Sequence, residues 1–85
     1  MSKNVMLVLL DTRKEAAVKV QQVLTGWGCF IKTRLGLHGD TLENCSENGL
    51  LFLELVGDEE KHKEMERKLN LINGVNAKLI KLSIN

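Results

Sequence analysis

The residues best able to do chemistry lie mostly between positions 29 and 45. Arg34, Gly36 and His38 alternate along one stretch, so in an extended strand they share one face. Arginine offers a planar donor fork suited to a carboxylate or phosphate, and histidine changes charge near neutral pH. Gly36 between them leaves room for a ligand or another backbone. Together they read as a polar site for a small anionic ligand or a subunit contact. The plainer alternative is a solvated edge strand with Gly36 at a bulge. Asp11 and Thr12 form a second candidate, at a strand-to-helix junction where free helix amides favour an anion. The capping-box spacing of Thr12 and Glu15 already accounts for the threonine, however.

Cys29 and Cys45 with His38 form a third set, an imidazole and two thiols suited to a soft divalent metal. They lie on different segments and contain no C-x-x-C pair, so the plainer reading is free thiols in a reducing cytoplasm. Cys29 on that reading is a small buried residue following a helix. His62, four residues after Asp58 on a charged helix face, reads as solvated. No serine–histidine–carboxylate set, paired-carboxylate spacing or phosphate-cradling glycine loop is recognisable. We therefore expect no enzyme and no cofactor.

Twelve lysines and arginines oppose eleven acidic residues, for a formal net charge of +1. That balance steers the chain toward neither nucleic acid nor an acidic membrane. Apolar residues make up 44 %, ordinary for a globular domain. The first apolar run is too short for a signal sequence or a membrane span, so a cytoplasmic address is expected.

The elements that must position these residues follow from the pattern. Val5-Met6-Leu7-Val8-Leu9-Leu10 is a continuous apolar run, as in a central strand buried on both faces. From Thr12 a helix puts Ala16, Ala17, Val20, Val23, Leu24 and Trp27 on one face, and Gly26 and Gly28 suit a left-handed end. Ile31, Thr33, Leu35 and Leu37 alternate with polar residues as a half-buried strand. After a polar loop, Gly49 opens a strand over Leu50–Val56. Asp58 can cap a second helix, with Glu59 and Glu60 in its first turn and Met65, Leu69 and Ile72, with Leu71 near the end, as its apolar stripe. Asn73-Gly74 ends it, and Val75 to Ile84 forms a last strand whose alternation slips between Leu79 and Ile80.

The order β-α-β-β-α-β is the split βαβ, ferredoxin-like motif, an α+β fold forming one domain over residues 1–85. Right-handed crossovers place two helices on one face of a four-stranded antiparallel sheet. The other face needs cover, because both alternating sets of the two central strands are apolar. We assign Met6, Val8, Leu10, Leu50, Phe52 and Val56 to that open face. Self-association as a homodimer or homotetramer is the expected consequence. RNA-recognition motifs share this topology but stack bases on exposed aromatics; with only Phe52 on the central strands, nucleic-acid binding is not expected.

Arg34-Leu35-Gly36-Leu37-His38 resembles the Arg-Met-Gly-Leu/Ile stretch of a bacterial family, the iron-only hydrogenase system regulators. The third strand and turn, GLLFLELVGD, and the segment LNLINGVNAKLIKL are similar to the same family. The resemblance implies an ACT-like oligomer with a regulatory role, encoded near hydrogenase maturation factors, responding to a small ligand or a protein partner. Many amino-acid-binding ACT domains carry a glycine between first strand and first helix, where this chain has Asp11-Thr12-Arg13-Lys14-Glu15. The nickel-responsive repressors share the fold, but their histidine and cysteine cluster is not matched by the spacing of His38, His62, Cys29 and Cys45.

Overall fold

The computed structural model describes residues 1–11, 15–38 and 48–85. Strand β1 (Ser2–Asp11) leads to helix α1 (Ala16–Gly26), then a short 3-10 turn (Gly28–Phe30) and β2 (Ile31–His38). Strand β3 (Asn48–Leu55), helix α2 (Glu59–Asn70) and β4 (Val75–Ser83) complete the order. The sheet runs β2-β3-β1-β4, with every neighbouring pair antiparallel. This is the expected β-α-β-β-α-β arrangement.

One face of the sheet and both helices share a core. Met6 and Val8 of β1, Leu53 and Leu55 of β3 and Ala77 of β4 meet Val20 and Leu24 of α1 and Met65 and Leu69 of α2. The register settles which apolar set of β1 faces the helices, and it is the set assigned above to the open side. Met6, Val8 and Leu10 are buried under the helices. Leu7 and Leu9 lie on the other face with Leu50 and Phe52, which pair with them across the strands. Leu50 and Phe52 are on the open face as expected, whereas Val56 falls beyond Leu55, the last paired residue of β3. The alternation of β4 does not slip: Leu79 packs against the core, and Ile80 pairs with Val5 on the opposite face.

Helix α1 departs from expectation at both ends. Its N-cap is Glu15, with no side-chain cap bond, and Thr12 lies outside the described residues. Ala17 is exposed, while Ala16, Val20 and Leu24 are buried. Neither Gly26 nor Gly28 has a positive φ; the helix instead ends at Trp27, whose amide bonds to the Val23 carbonyl, and the 3-10 turn carries the chain into β2. Helix α2 starts as its sequence dictates, with the Asp58 carboxylate accepting from the Glu60 amide at 2.9 Å. Of the residues assigned to its stripe, Met65 and Leu69 are buried and Leu71 is exposed.

Gly57 and Gly74, both at φ 86°, make the turns flanking α2. A Cβ on Gly57 would come within 3.0 Å of Phe30 Cδ1, adding a clash to left-handed strain. Gly57→Ala is therefore expected to destabilise by about 1–2 kcal/mol, lowering Tm by roughly 5–15 °C in a thermal melt.

The α2 side of the molecule also occupies the backbone of β4. Asn70 Nδ2 donates to the Ala77 carbonyl at 2.9 Å, and the Ala77 amide donates to Asn70 Oδ1 at 2.8 Å. The Leu79 amide donates to the Glu66 carboxylate, and the Val75 amide to the Ile72 carbonyl. No helix among the described residues is long and apolar enough to cross a membrane.

Candidate functional site

Among the described residues β2 is an edge strand, joined to β3 in the sheet. Arg34 pairs with Leu53 and Gly36 with Leu51, and His38 takes the same parity opposite Gly49. Leu53 is core, so Arg34 and Gly36 lie on the helix-facing side of the sheet, at its margin. Arg34 and Gly36 are exposed there, and among the described residues a Cβ at Gly36 would meet Leu51 Cδ2 at an ordinary 3.5 Å. The bulge of β2 lies between Ile31 and Thr33, not at Gly36. The exposed guanidinium beside an unencumbered backbone suits a planar anion.

The other sequence candidates do not assemble with this row among the described residues. Asp11 is half-buried at the end of β1, beside Leu10, which pairs with the same Gly49 as His38 from the other side of β3; its amide donates to the Gly74 carbonyl at 2.8 Å. Thr12 and Cys45 lie outside the described residues. Cys29, expected to be buried, is exposed on the turn after α1; that turn leaves the helix before Cys29 and so carries it away from the core. No group of three metal-ligating side chains occurs among the described residues.

His62 corrects the sequence reading most sharply, for it is only 2 % exposed. Its Nε2–H donates to the Val56 carbonyl at 2.7 Å, and Asn4 Nδ2 donates to its Nδ1 at 2.9 Å. The Val56 carbonyl can only accept, so Nε2 carries a hydrogen. The available signal was phase: positions 62, 65 and 69 repeat at three and four, so His62 heads the stripe that buries Met65 and Leu69. Lys3, Asn4, Val56, Gly57, Glu59 and His62 line an open depression of about 280 Å³, at the end of the sheet where β1 begins and β3 ends.

The open face of the sheet is largely apolar. Leu7, Leu9 and Leu35 are 37 %, 49 % and 51 % exposed, and Phe52 lies between Leu7 and Leu35 in the register. Lys3, Glu54 and Thr33 rim one end. Lys3 Nζ pairs with Glu54, and the Thr33 hydroxyl donates to the same carboxylate at 3.0 Å. The Lys3 bond, followed by that from Thr33, holds the Glu54 carboxyl below its ordinary value.

No protein-family model matches the chain, and no curated protein does. Solved structures do. An uncharacterized protein of Thermotoga maritima superposes with a TM-score of 0.82 at 23 % identity, over 98 % of this chain and 100 % of its own. The ACT domain of the GTP pyrophosphokinase of Chlorobium tepidum gives a TM-score of 0.66 at 15 % identity, over 94 % and 97 % of the two chains. A nitrogen regulatory PII-like protein of Thiomonas intermedia, bound to ADP, AMP and bicarbonate, gives 0.59 at 10 % identity, over 100 % and 97 %. Element order, strand order and these superpositions identify the chain as a protein of the ACT-like, ferredoxin-like fold.

Proposed function

We propose that this chain is a non-catalytic regulatory module of the cytoplasm that works as a homo-oligomer and senses a small anionic ligand. The observation that carries the reading is the apolar open face. Among the described residues the helices cover one side of the sheet, and Leu7, Leu9, Leu35 and Phe52 remain on the other. With strands about 4.8 Å apart and about 3.4 Å per residue, the face spans roughly 500 Å². Two copies stacked would bury about 1,000 Å², close to the lower bound for a specific interface. Such an assembly is reversible, which suits a regulator.

Two likenesses support the sensing half. The ACT domain belongs to a GTP pyrophosphokinase, and the PII-like protein is a nitrogen regulatory protein bound to nucleotides and bicarbonate. Arg34 supplies the anion contact in this reading, with Gly36 giving access and His38 adjacent in the same row. The resemblance of Arg34–His38 and the later segments to the iron-only hydrogenase system regulators makes that system the process we assign.

Native mass spectrometry of the purified protein tests both halves. An oligomer carrying an organic anion is expected, and a monomer at all concentrations would overturn the assembly. Arg34→Ala is expected to weaken retention of that anion at least about tenfold, as loss of a charged hydrogen bond does, without changing the oligomer. Undiminished retention would remove Arg34 from the site.

A further inference from the structure

The open face carries charge as well as leucine, and its layout follows from the register. Leu7 pairs with Phe52 on one side and Lys78 on the other, and Phe52 pairs in turn with Leu35. One row nearer the start of β1, Thr33, Glu54, Val5 and Ile80 run across the same face. One row further on, Leu50, Leu9 and Asn76 do so. A hydroxyl and an acid therefore occupy the β2–β3 corner of the apolar patch, and a lysine and an amide its β4 edge. Lys78 is exposed and makes none of the ion pairs among the described residues. The Glu54 side chain remains 20 % accessible beside Lys3.

These polar groups are placed symmetrically about the leucines. Glu54 and Lys78 sit on the strands flanking β1, opposite Val5 and Leu7, so the point midway between them lies on β1 between those two residues. At about 4.8 Å between strands and about 3.4 Å per residue, they are roughly 12 Å apart. Consider a two-fold axis through that midpoint, lying between two stacked sheets and perpendicular to the line joining the pair. It sets Glu54 of each copy over Lys78 of the other. The same rotation lays Leu35 over Leu9, Phe52 beside Leu7 and Thr33 beside Asn76. Apolar residues thus meet apolar ones and polar meet polar across the patch, while Lys3 falls beyond β4 of the second copy and stays in water. Stacked sheets lie about 10 Å apart, a gap that a lysine and a glutamate bridge together.

We propose that the open face is complementary to itself: a second copy stacks on it about a two-fold axis through β1 between Val5 and Leu7, with Glu54 of each copy paired to Lys78 of the other. The contact is isologous, so both ion pairs form at once and the assembly closes as a dimer. A different protein would have to present an acid and a base at the same separation about an apolar patch, which this face already does. The pairing rests on the homo-oligomer reading above and adds to it the charges that fix partner and register.

Sedimentation velocity of Lys78→Glu and Glu54→Lys, each alone and mixed in equal amounts, tests the pairing. In either variant alone both pairs become like-charged, and association should weaken at least about tenfold relative to the wild-type chain. In the mixture every pair is again acid to base. A heterodimer should therefore form at least about tenfold more tightly than either variant with itself. Far-UV circular dichroism controls for folding. Should Glu54→Lys fail to fold without its bond to Lys3, Lys78→Met decides, because it keeps an apolar stem and drops the charge. Its association should be about threefold weaker than wild type or more, and less sensitive to salt. A mixture no tighter than its components, or Lys78→Met associating as well as wild type, would overturn the pairing and leave the homo-oligomer standing. A wild-type chain that is monomeric at every concentration would overturn both.

Discussion

Leu53→Ala is expected to remove about 3–4 kcal/mol of unfolding free energy, a large part of what a domain of this size possesses. Leu53 is fully buried in β3, paired with Met6 of β1 and packed in the helix-facing core. Truncating such a leucine loses its transfer free energy and leaves a cavity that rigid strands cannot close. At about 0.05–0.15 kcal/mol per residue, an 85-residue chain holds roughly 4–13 kcal/mol in all. Urea unfolding of the variant should give a sharply lowered midpoint with little change in slope. A loss under about 1 kcal/mol would mean that the helices do not pack on the Leu53 side of the sheet.

Leu7→Glu should have the opposite profile, sparing the fold and abolishing the assembly. Leu7 stands in the middle of the open face, between Phe52 of β3 and Lys78 of β4 in the register. Within one copy the new carboxylate lies opposite Lys78, an arrangement sheets tolerate well. Between stacked copies it brings two carboxylates into an apolar contact, where like charges cost several kcal/mol. Association should weaken by about a hundredfold or more, measured by sedimentation velocity across a concentration series with far-UV circular dichroism as the control for folding. Leu71→Glu, at an exposed position after α2, should leave association unchanged. An undisturbed oligomer in Leu7→Glu would place the interface elsewhere.

The contrast between these two variants also shows what could be read from the residues. Element order and the Asp58 cap were legible because capping residues, turn glycines and periodicity each have a local cause. The facing of β1 was not, since Val5 to Leu10 is apolar at both parities and local pattern cannot choose. The tie-breaker was a pair of charges on different strands. Lys3 and Glu54 meet across the sheet, and with Lys3 at an odd position, Val5, Leu7 and Leu9 must share its face. His62 was misread for a related reason: it was judged by its charged neighbours and not by its phase with Met65 and Leu69. For the candidate anion site, sequence parity placed Arg34 and Gly36 on one face correctly. Their position on the helix side of the sheet required the register with Leu53 and Leu51.

The hydrogen bonds that α2 and the turn after it make to Val75, Ala77 and Leu79 bear on how far copies of this chain could add to one another. A sheet with two free margins can recruit strands at both and grow without limit, the route by which β proteins form fibres. With the β4 margin already spent on Ile72, Asn70 and Glu66 over Val75–Leu79, strand addition along that stretch is left to the β2 side. Two molecules joined there would present outward margins stoppered over those residues. Growth along the hydrogen-bonding direction beyond a pair would thus meet a partly occupied edge, a restraint on a small chain with so much leucine on an uncovered surface.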